Sequence, residues 1–255
     1  MPKGLTIAAV RVLLASGELS DAKLTVLQAD KRKGVQQLLA HYHRQQFKLA
    51  QAQAAFKQRC QLEQRYWAKN QLVAGIDEVG RGPLAGPVVT CAIVLAPDFN
   101  LVAVNDSKQL ADHQRRELFT KILSECYSCA IGYADNQAID RFNIYEATRQ
   151  AMGKAVAGLT LVPSGLLVDA MTVPTAIPQE KLIHGDARSV SIAAASIVAK
   201  VLRDDLMKMY DSVYPGYGFS KNMGYGTAAH LQGLQQLGPT PIHRHSFAPV
   251  RQYEK

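Results

Sequence analysis

Apolar residues recur at helical spacing through the first 70 residues and form short, almost uninterrupted runs thereafter. In the first part, this pattern predicts helices over residues 7–15 and 23–29, and a long helical stretch over residues 31–69. That long stretch is rich in glutamine and alanine and contains no proline. The composition changes at residues 70–71, so we divide the chain into a helical extension, residues 1–70, and a second domain, residues 71–255.

The second domain mixes predicted strands with predicted helices. Residues 87–96 (PVVTCAIVLA) are almost all apolar or β-branched, which is typical of a strand buried on both faces. Further strands are predicted over residues 72–79, 128–134, 166–168 and 181–184, and helices over residues 112–125, 144–159, 189–214 and 227–237. The strands come first and then alternate with helices. We therefore predict an α/β fold with a mixed sheet, preceded by an all-α extension.

The net positive charge lies in the extension. Residues 1–70 carry 12 Lys+Arg and 4 Asp+Glu, whereas the rest of the chain is balanced at 17 of each. A basic segment beside a neutral body is typical of attachment to a polyanion such as nucleic acid. A solvated helical face remains the equally open alternative. Four scattered cysteines and the lack of a long apolar run predict a cytoplasmic protein with no membrane contact.

Four carboxylates follow predicted strands. Asp77 and Glu78 close one strand, Asp169 ends the apolar run GLLV, and Asp186 comes shortly after another strand. Buried ionised carboxylates are costly unless they are paired or bind a cation, and ligands gather at strand ends in α/β sheets. The four acids therefore predict a site for two Mg²⁺ or Mn²⁺ ions and two-metal phosphodiester hydrolysis. Caps or turns are the open structural alternative, including a helix N-cap for Asp186.

The segment GRGPLAG follows directly. Gly80, Gly82 and Ala85 match the spacing of a dinucleotide-binding turn, but Pro83 follows and the next element is a strand instead of a helix, so we reject that interpretation. The glycines allow backbone groups to approach a ligand closely, with Arg81 beside them. Backbone groups so close to a sugar could test for a ribose 2′-hydroxyl.

Several strings resemble bacterial ribonuclease HII. They are AGIDEVGRGPLAGPVV at 74–89, DSKQL at 106–110, LLVDAM at 166–171, HGDARSVSIAAASIVAKVLRD at 184–204, GYGT at 224–227 and HRHSF at 243–247. The resemblance spans about residues 72–250 in the family's order, and the extension resembles one found in a subset of the family. It implies a ribonuclease H-like three-layer α/β fold with a helical C-terminal part.

The resemblance also implies an activity and a set of site residues. The activity is endonucleolytic cleavage of RNA–DNA hybrids and of the 5′ side of ribonucleotides embedded in duplex DNA, which leaves 3′-hydroxyl and 5′-phosphate ends and initiates ribonucleotide removal. The implied residues are Asp77, Glu78, Asp169 and Asp186 for the metal ions; Gly80, Arg81 and Gly82 for the 2′-hydroxyl; Tyr225 for the neighbouring deoxyribose; and Ser107 and Lys108 for phosphate.

Two positions depart from the family pattern, and two other functions stay open. Met223 stands where a lysine is usual and His245 where an arginine is common. A nucleic-acid-binding module with a structural acidic cluster is one alternative, and a DNA-directed exonuclease or strand-transfer enzyme is the other. We expect a monomer, and the sequence indicates no particular protein partner. Cys126-x-x-Cys129 lacks a second pair at zinc-site spacing and is interpreted as part of a helix–strand junction.

Overall fold

The computed structural model describes residues 5–16 and 19–253, and the chain divides into two compact units, Met1–Ala55 and Phe56–Lys255. Residues 1–4, 17–18 and 254–255, which belong to the predicted domains, lie outside the described residues. Within the described part of the chain, none of the helices has the length and apolar character needed to cross a membrane.

The N-terminal unit is built from helices around a small apolar core. Its helices are α1 (Ile7–Ala15), α2 (Asp21–Gln28) and most of α3 (Lys33–Arg59). The side chains of Thr6 and Ser20 accept hydrogen bonds from backbone amides in the first turns of α1 and α2, because the amides at a helix start lack partners within the helix. The core residues are Val10, Leu27, Val35 and Leu39.

The second unit contains a five-stranded mixed sheet in the order β3-β2-β1-β4-β5. The strands are β1 (Val73–Val79), β2 (Val88–Leu95), β3 (Cys126–Ala134), β4 (Gly165–Asp169) and β5 (Gln179–Leu182). The helices are α4 (Gln61–Trp67), α5 (Asp112–Glu125), α6 (Asn136–Ala157), α7 (Gly185–Arg188), α8 (Val190–Val213), α9 (Phe219–Asn222), α10 (Ala228–Leu237) and α11 (Ala248–Arg251). Strands β1, β2 and β3 are antiparallel neighbours, whereas β1, β4 and β5 run parallel.

Helices cover both faces of the sheet, which confirms the predicted three-layer fold. Alternate residues of β2 pack against α8 and α5 on one face, and the others pack against α6 on the opposite face. All eight residues of β2 are therefore buried. The layers approach closely where β1 crosses α8, because a Cβ atom on Gly75 would lie 2.2 Å from the carbonyl carbon of Ser191. Only glycine fits at that crossing.

Several boundaries differ from those predicted. The stretch predicted as one helix over residues 31–69 is divided at Cys60, which separates α3 from α4. Helix α6 begins at residue 136 and not at 144, and it kinks at Asn143, whose φ is +65°. The Asn143 side chain accepts hydrogen bonds from the amides of Tyr145 and Glu146, so it caps the second half of the helix.

Strand β5 lies two residues earlier than predicted. Its pairing with β4 begins at Gln179, whose side chain exchanges two hydrogen bonds with the backbone of Val173. The chain then leaves the sheet through His184, which has a left-handed backbone conformation with φ of +54°. The shortest helical segments were not predicted, because single turns carry little periodic signal. They are the 3-10 turn at Ser107–Gln109 and the helices α7, α9 and α11.

Candidate active site

Strand register brings the first two acids together. β1 and β4 run parallel, and Ile76 pairs with Val168. The next residue in each strand is an aspartate, so Asp77 and Asp169 occupy neighbouring positions at the same edge of the sheet. The third acid, Glu78, follows Asp77 in β1. This is the edge at which the sequence pattern predicted a convergence of carboxylates.

The fourth acid reaches this edge through the turn after β5. The backbone N–H of Gly185 donates to Asp169 Oδ1 at 2.6 Å, which fixes the start of α7 against the end of β4. Asp186 lies in the first turn of α7. Helix α8 is capped instead by Ser189, whose hydroxyl accepts from the amide of Ile192. The alternative that Asp186 caps the following long helix is therefore wrong. We call Asp77, Glu78, Asp169 and Asp186 the acidic rim.

The rim carboxylates are mutually repulsive. Burial raises the pKa of Asp77 well above its ordinary value, and the charges of Glu78 and Asp169 raise it further. Burial also raises the pKa of Glu78, against the opposing effect of Arg81. The pKa of Asp186 is raised by burial and by nearby carboxylates, of which Asp106 contributes most. Each shift means that the folded protein disfavours the charged form when no cation is bound.

Two serines lie behind Asp77. The Ser196 hydroxyl of α8 bonds to the Asp77 carboxylate, and Ser107 Oγ lies 2.8 Å from Ser196 Oγ. Only 3% of Ser107 is exposed. In this structure Ser107 therefore supports Asp77 through Ser196, and its predicted contact with phosphate stays a prediction.

Two cations face the rim. Arg81 Nη1 lies 3.5 Å from Glu78 Oε1, and Lys108 Nζ lies 3.7 Å from Asp186 Oδ2. Both cationic groups reach solvent, and the Lys108 side chain is 81% exposed. The positions predicted to contact phosphate and ribose thus lie beside the acids, where a phosphodiester could bridge them.

The chemistry of the donors suits a hard divalent cation. All four candidate ligands are carboxylates, and Glu78 Oε2 is buried with no hydrogen-bond partner among the described residues. In residues 5–16 and 19–253, however, no three Asp, Glu, His or Cys side chains are already grouped around a position for one ion. The rim therefore fits such an ion by donor type and charge, while the ion pairs of Arg81 and Lys108 engage two of its members.

The glycine-rich loop and Tyr225 lie side by side. A Cβ atom on Gly82 would lie 3.3 Å from the Tyr225 ring, and 48% of Tyr225 is exposed. Gly80 has a φ of +94°, and a Cβ atom there would lie 2.1 Å from Arg203 Nε. Glycine is therefore required at residue 80 by the backbone conformation and by Arg203, whereas the predicted close approach of this loop to a ligand stays a prediction. We call residues 80–86 and 222–227 the recognition loops.

Two fully buried arginines hold these loops. Arg203 donates to the carbonyls of Ala85, Pro87 and Met223, so one guanidinium joins both recognition loops. Arg244 donates to the carbonyls of Gly80, Arg81 and Gly86. Burial lowers the pKa of Arg203 to about 10 and that of Arg244 to about 9, so both stay protonated at neutral pH. Sequence reasoning assigned neither residue a role, although each lies in a string that carries the resemblance.

A pair of buried histidines orients the backbone of Tyr225. The amide of Thr240 donates to His243 Nδ1 at 2.8 Å, so His243 Nε2 carries the proton and donates to His230 Nε2 at 2.9 Å. His230 Nδ1 then donates to the Tyr225 carbonyl at 3.0 Å. Burial lowers the pKa of both imidazoles, to about 4 for His243. The neutral pair therefore forms a directed chain of hydrogen bonds that ends at Tyr225.

The two departures from the family pattern lie in this region. Met223 has a φ of +51°, and its carbonyl accepts from Arg203 Nη1 at 2.9 Å. The amide of His245 donates to Asp140 Oδ2 at 3.0 Å. These two hydrogen bonds are made by backbone groups, and the Met223 side chain also packs against the apolar cluster that contains Met207 and Phe219.

The predicted junction at Cys126 is confirmed. Helix α5 ends at residue 125 and β3 begins at residue 126. Cys129 Sγ lies 3.6 Å from Cys91 Sγ on the neighbouring strand, and both are free thiols.

The fold is that of a ribonuclease H-type nuclease. Ribonuclease H2 from Pyrococcus horikoshii superposes with a TM-score of 0.63 at 27% identity, over 72% of this chain and 97% of that one. Ribonuclease HII from Archaeoglobus fulgidus, solved in complex with PCNA, gives 0.59 at 22% identity, over 69% of this chain and 95% of that one. Bst-RNase HIII in complex with Mn²⁺ gives 0.55 at 20% identity, over 72% and 69% of the two chains.

The sequence narrows this class to one family. The ribonuclease HII family model matches residues 74–250, and the model of the ribonuclease HII N-terminal domain matches residues 6–67. Ribonuclease HII of Lactobacillus gasseri is 59% identical over 98% of this chain and 100% of the relative, and that of Latilactobacillus sakei is 57% identical over 98% and 99%. The chain belongs to the ribonuclease HII family. It is accordingly a hydrolase, an endonuclease that cleaves RNA in RNA–DNA hybrids.

Proposed function

We propose that this enzyme cuts the phosphodiester bond on the 5′ side of a ribonucleotide, both in hybrids and in duplex DNA with embedded ribonucleotides. The products would carry 3′-hydroxyl and 5′-phosphate ends, and the cut would begin the removal of misincorporated ribonucleotides. The observation that carries the proposal is the adjacency of Asp77 and Asp169 at the edge from which the Gly80–Gly82 loop leaves.

We assign the four carboxylates of the acidic rim as ligands of two Mg²⁺ or Mn²⁺ ions. Bound ions of this kind lower the pKa of a water nucleophile and stabilise the leaving oxygen. The protein's part is to gather the negative charge that retains the ions. Burial and mutual repulsion raise the pKa of Asp77, so the rim gains from cations of opposite charge.

The remaining assigned residues would bind and position the substrate. Arg81 and Lys108 already face the rim, so each can exchange its carboxylate partner for a substrate phosphate. The backbone of the Gly80–Gly82 segment would contact the ribose 2′-hydroxyl. The half-exposed Tyr225 ring beside Gly82 would pack on the next sugar, where an added hydroxyl would crowd it. This arrangement favours a ribonucleotide followed by a deoxyribonucleotide.

The test is cleavage of a DNA duplex that contains one ribonucleotide, with the cut site mapped. We expect a cut on the 5′ side of the ribonucleotide with Mn²⁺ or Mg²⁺, none with EDTA, and none on an all-DNA duplex of the same sequence. Asp77→Asn should lower the rate about a thousandfold or more while hybrid binding persists, since the metal supplies several kcal/mol of transition-state stabilisation.

Other outcomes point to the alternative functions. Binding without metal-dependent cutting would favour a binding module, and equal cutting of all-DNA duplex would favour a DNA-directed nuclease. Normal turnover by Asp77→Asn would contradict the ligand assignment.

For the helical extension, residues 1–70, we propose binding to duplex outside the active site. The extension carries the whole net charge of the chain, and exposed basic residues such as Arg44 and Lys48 lie one turn apart on α3. Lysine and arginine side chains bind phosphates and release counterions, which gives affinity without sequence preference.

We also place the enzyme in the cytoplasm, because its four cysteines are free thiols, as is usual in a reducing compartment.

A further inference from the structure

A buried glutamate from α4 meets the start of α8. Glu63 is 0% exposed, and its Oε1 atom accepts hydrogen bonds from the hydroxyls of Ser189 and Ser191 and from the Ser191 amide, the last at 3.0 Å. Its Oε2 atom is buried with no hydrogen-bond partner among the described residues. A carboxylate at a helix N-terminus interacts favourably with the helix dipole and with amides that lack partners. The interaction therefore fixes the first turn of a 24-residue helix.

The start of α8 is also where the elements of the acidic rim meet. The Ser191 backbone lies against Gly75, two residues before Asp77 in β1. A Cβ atom on Gly185 would lie 2.7 Å from the Ile192 side chain and 3.0 Å from Asp169 Oδ1. A shift of this helix end would therefore move three of its neighbours: the β1 strand, the end of β4 and the α7 turn.

Helix α4 is itself anchored independently of Glu63. The Tyr66 ring packs over Gly165 at the start of β4, and Arg65 Nη2 lies 3.1 Å from Glu180 of β5. Arg59, one helix earlier, donates to the Val104 carbonyl at 3.0 Å. The Glu63 carboxylate thus extends from a helix that other contacts already hold on the second unit.

We propose that Glu63 is a positioning residue for the acidic rim. By fixing the first turn of α8, it sets where Asp186 on the preceding turn and Ser196 further along α8 stand relative to Asp77. The identity of the rim as the metal site rests on the proposed function above. Glu63 itself is thereby linked to the rim, although it lies in the region matched by the N-terminal family model.

The test compares Glu63→Ala with Glu63→Gln in the full-length protein. Glu63→Ala should weaken Mn²⁺ binding, measured calorimetrically without nucleic acid, by about 10- to 100-fold, the usual effect of removing a group that orients metal ligands. Its kcat should fall by a similar factor while KM for the nucleic acid changes little. Glu63→Gln keeps the Oε1 acceptor and should restore most of both losses.

The matched control is Arg65→Ala, which removes a different contact of the same helix. It should leave Mn²⁺ affinity and kcat unchanged. Wild-type Mn²⁺ affinity in a folded Glu63→Ala protein would overturn the proposal. If Glu63→Ala does not fold, Ser191→Ala removes part of the same interaction and should still weaken Mn²⁺ binding by about threefold; unchanged binding there would also overturn it.

Hydrogen exchange separates this inference from the proposed function. In metal-free protein, Glu63→Ala should speed amide exchange over residues 185–196, and Arg65→Ala should not. Unchanged exchange would overturn the positioning role whatever the metal data show. Faster exchange in a protein whose wild type binds no Mn²⁺ would support the positioning role and count against the proposed metal site alone.

Discussion

The acidic rim and the recognition loops are neighbours with opposite electrostatic designs. In the rim, burial raises the pKa of Asp77, and the neighbouring carboxylates Glu78 and Asp169 raise it further. In the loops, the guanidinium groups of Arg203 and Arg244 donate to six backbone carbonyls, so that buried charge and buried polar groups satisfy each other. Unbalanced negative charge therefore remains in the rim, whereas each of these six carbonyls has a buried charged donor.

This difference separates two requirements of the enzyme. Groups that bind cations must keep surplus charge in the folded protein, at a cost in stability. Groups that distinguish one sugar from another must instead stay fixed, because a movement of about 1 Å can cost a large part of the rate. Changes at Arg244, His243 and Asp77 each alter one side of this difference.

Arg244→Met should have the largest effect, because it removes the donor from three carbonyls of the first recognition loop. Three carbonyls would lose their donor, and the free energy of unfolding should fall by about 3 kcal/mol or more. Urea denaturation measures the loss, and the cleavage ratio between RNA-containing and all-DNA duplex should fall with it. Arg251→Met, at an exposed arginine of α11, should stay within about 0.5 kcal/mol of wild type. Equal effects of the two changes would contradict the role of Arg244.

The histidine pair should make the loops sensitive to acid. Burial holds the pKa of His243 near 4, below the ordinary value of 6.5 that applies in the unfolded chain. Between those values the unfolded chain takes up a proton and the folded protein does not. The free energy of unfolding should therefore fall from about pH 6.5 to about pH 4, by roughly 3 kcal/mol from this group.

The variant His243→Gln tests this assignment. The relevant quantity is the change of its free energy of unfolding with pH, and not its stability at a single pH. The free energy of unfolding, measured with urea, should decline less across that pH range in His243→Gln than in wild type. His113→Gln, at an exposed position, should keep the full decline. An identical slope in wild type and His243→Gln would mean that other groups cause the acid sensitivity.

Asp77→Asn should stabilise the metal-free protein by removing repulsion from the rim. The folded-state pKa of Asp77 is raised, so its contribution to stability is present at low pH and is lost as the pH rises through that pKa. At pH 7 in EDTA we expect the variant to gain about 1–2 kcal/mol in urea unfolding, and the gain should vanish near pH 4.

Two controls test whether this gain in the free energy of unfolding comes from the acidic rim. Glu117→Gln should show none, because its neighbour Lys121 lowers the pKa of that exposed carboxyl. Added Mn²⁺ should stabilise wild type more than Asp77→Asn, since only wild type keeps the full ligand set. A metal-free Asp77→Asn protein less stable than wild type at pH 7 would show that the rim carries no such cost.

The smallest expected effect concerns the N-terminal unit. Replacing Arg44 and Lys48 together by glutamine should reduce the slope of log K against log salt for duplex binding by up to about 1.8, or about 0.9 for each phosphate that the variant no longer neutralises. The rate of the chemical step should not change. Lys121→Gln, on the exposed face of α5, is the matched loss of charge elsewhere. A slope unchanged by the double replacement would leave the N-terminal unit without a role in duplex binding.

The sequence predicts the fold well where periodicity and local chemistry are strong. The β2 run indicated a strand buried on both faces, and alternate residues of β2 do pack on opposite helical layers. The rim was predictable in part because Asp77 lies near the end of one apolar strand and Asp169 ends another. The roles of the individual site residues stay predictions.

The supporting groups could not be predicted, because their partners are distant in the sequence. Glu63 is 126 residues from Ser189, and Arg244 is 164 residues from Gly80. A charged residue within a helix or loop is usually solvated, so nothing local marks these two as buried. One weak signal was present at Arg203, a cation within the apolar pattern of α8.

The contact between Gly75 and Ser191 has a consequence for attempts to alter this enzyme. The spacing between the strand that carries Asp77 and the helix beside it depends on the absence of a single methyl group. Even alanine at residue 75 would act as a wedge that separates the two backbones and widens the catalytic centre. Directed evolution of heat resistance or substrate range should therefore find accepted changes on the outer helices and almost none at this crossing.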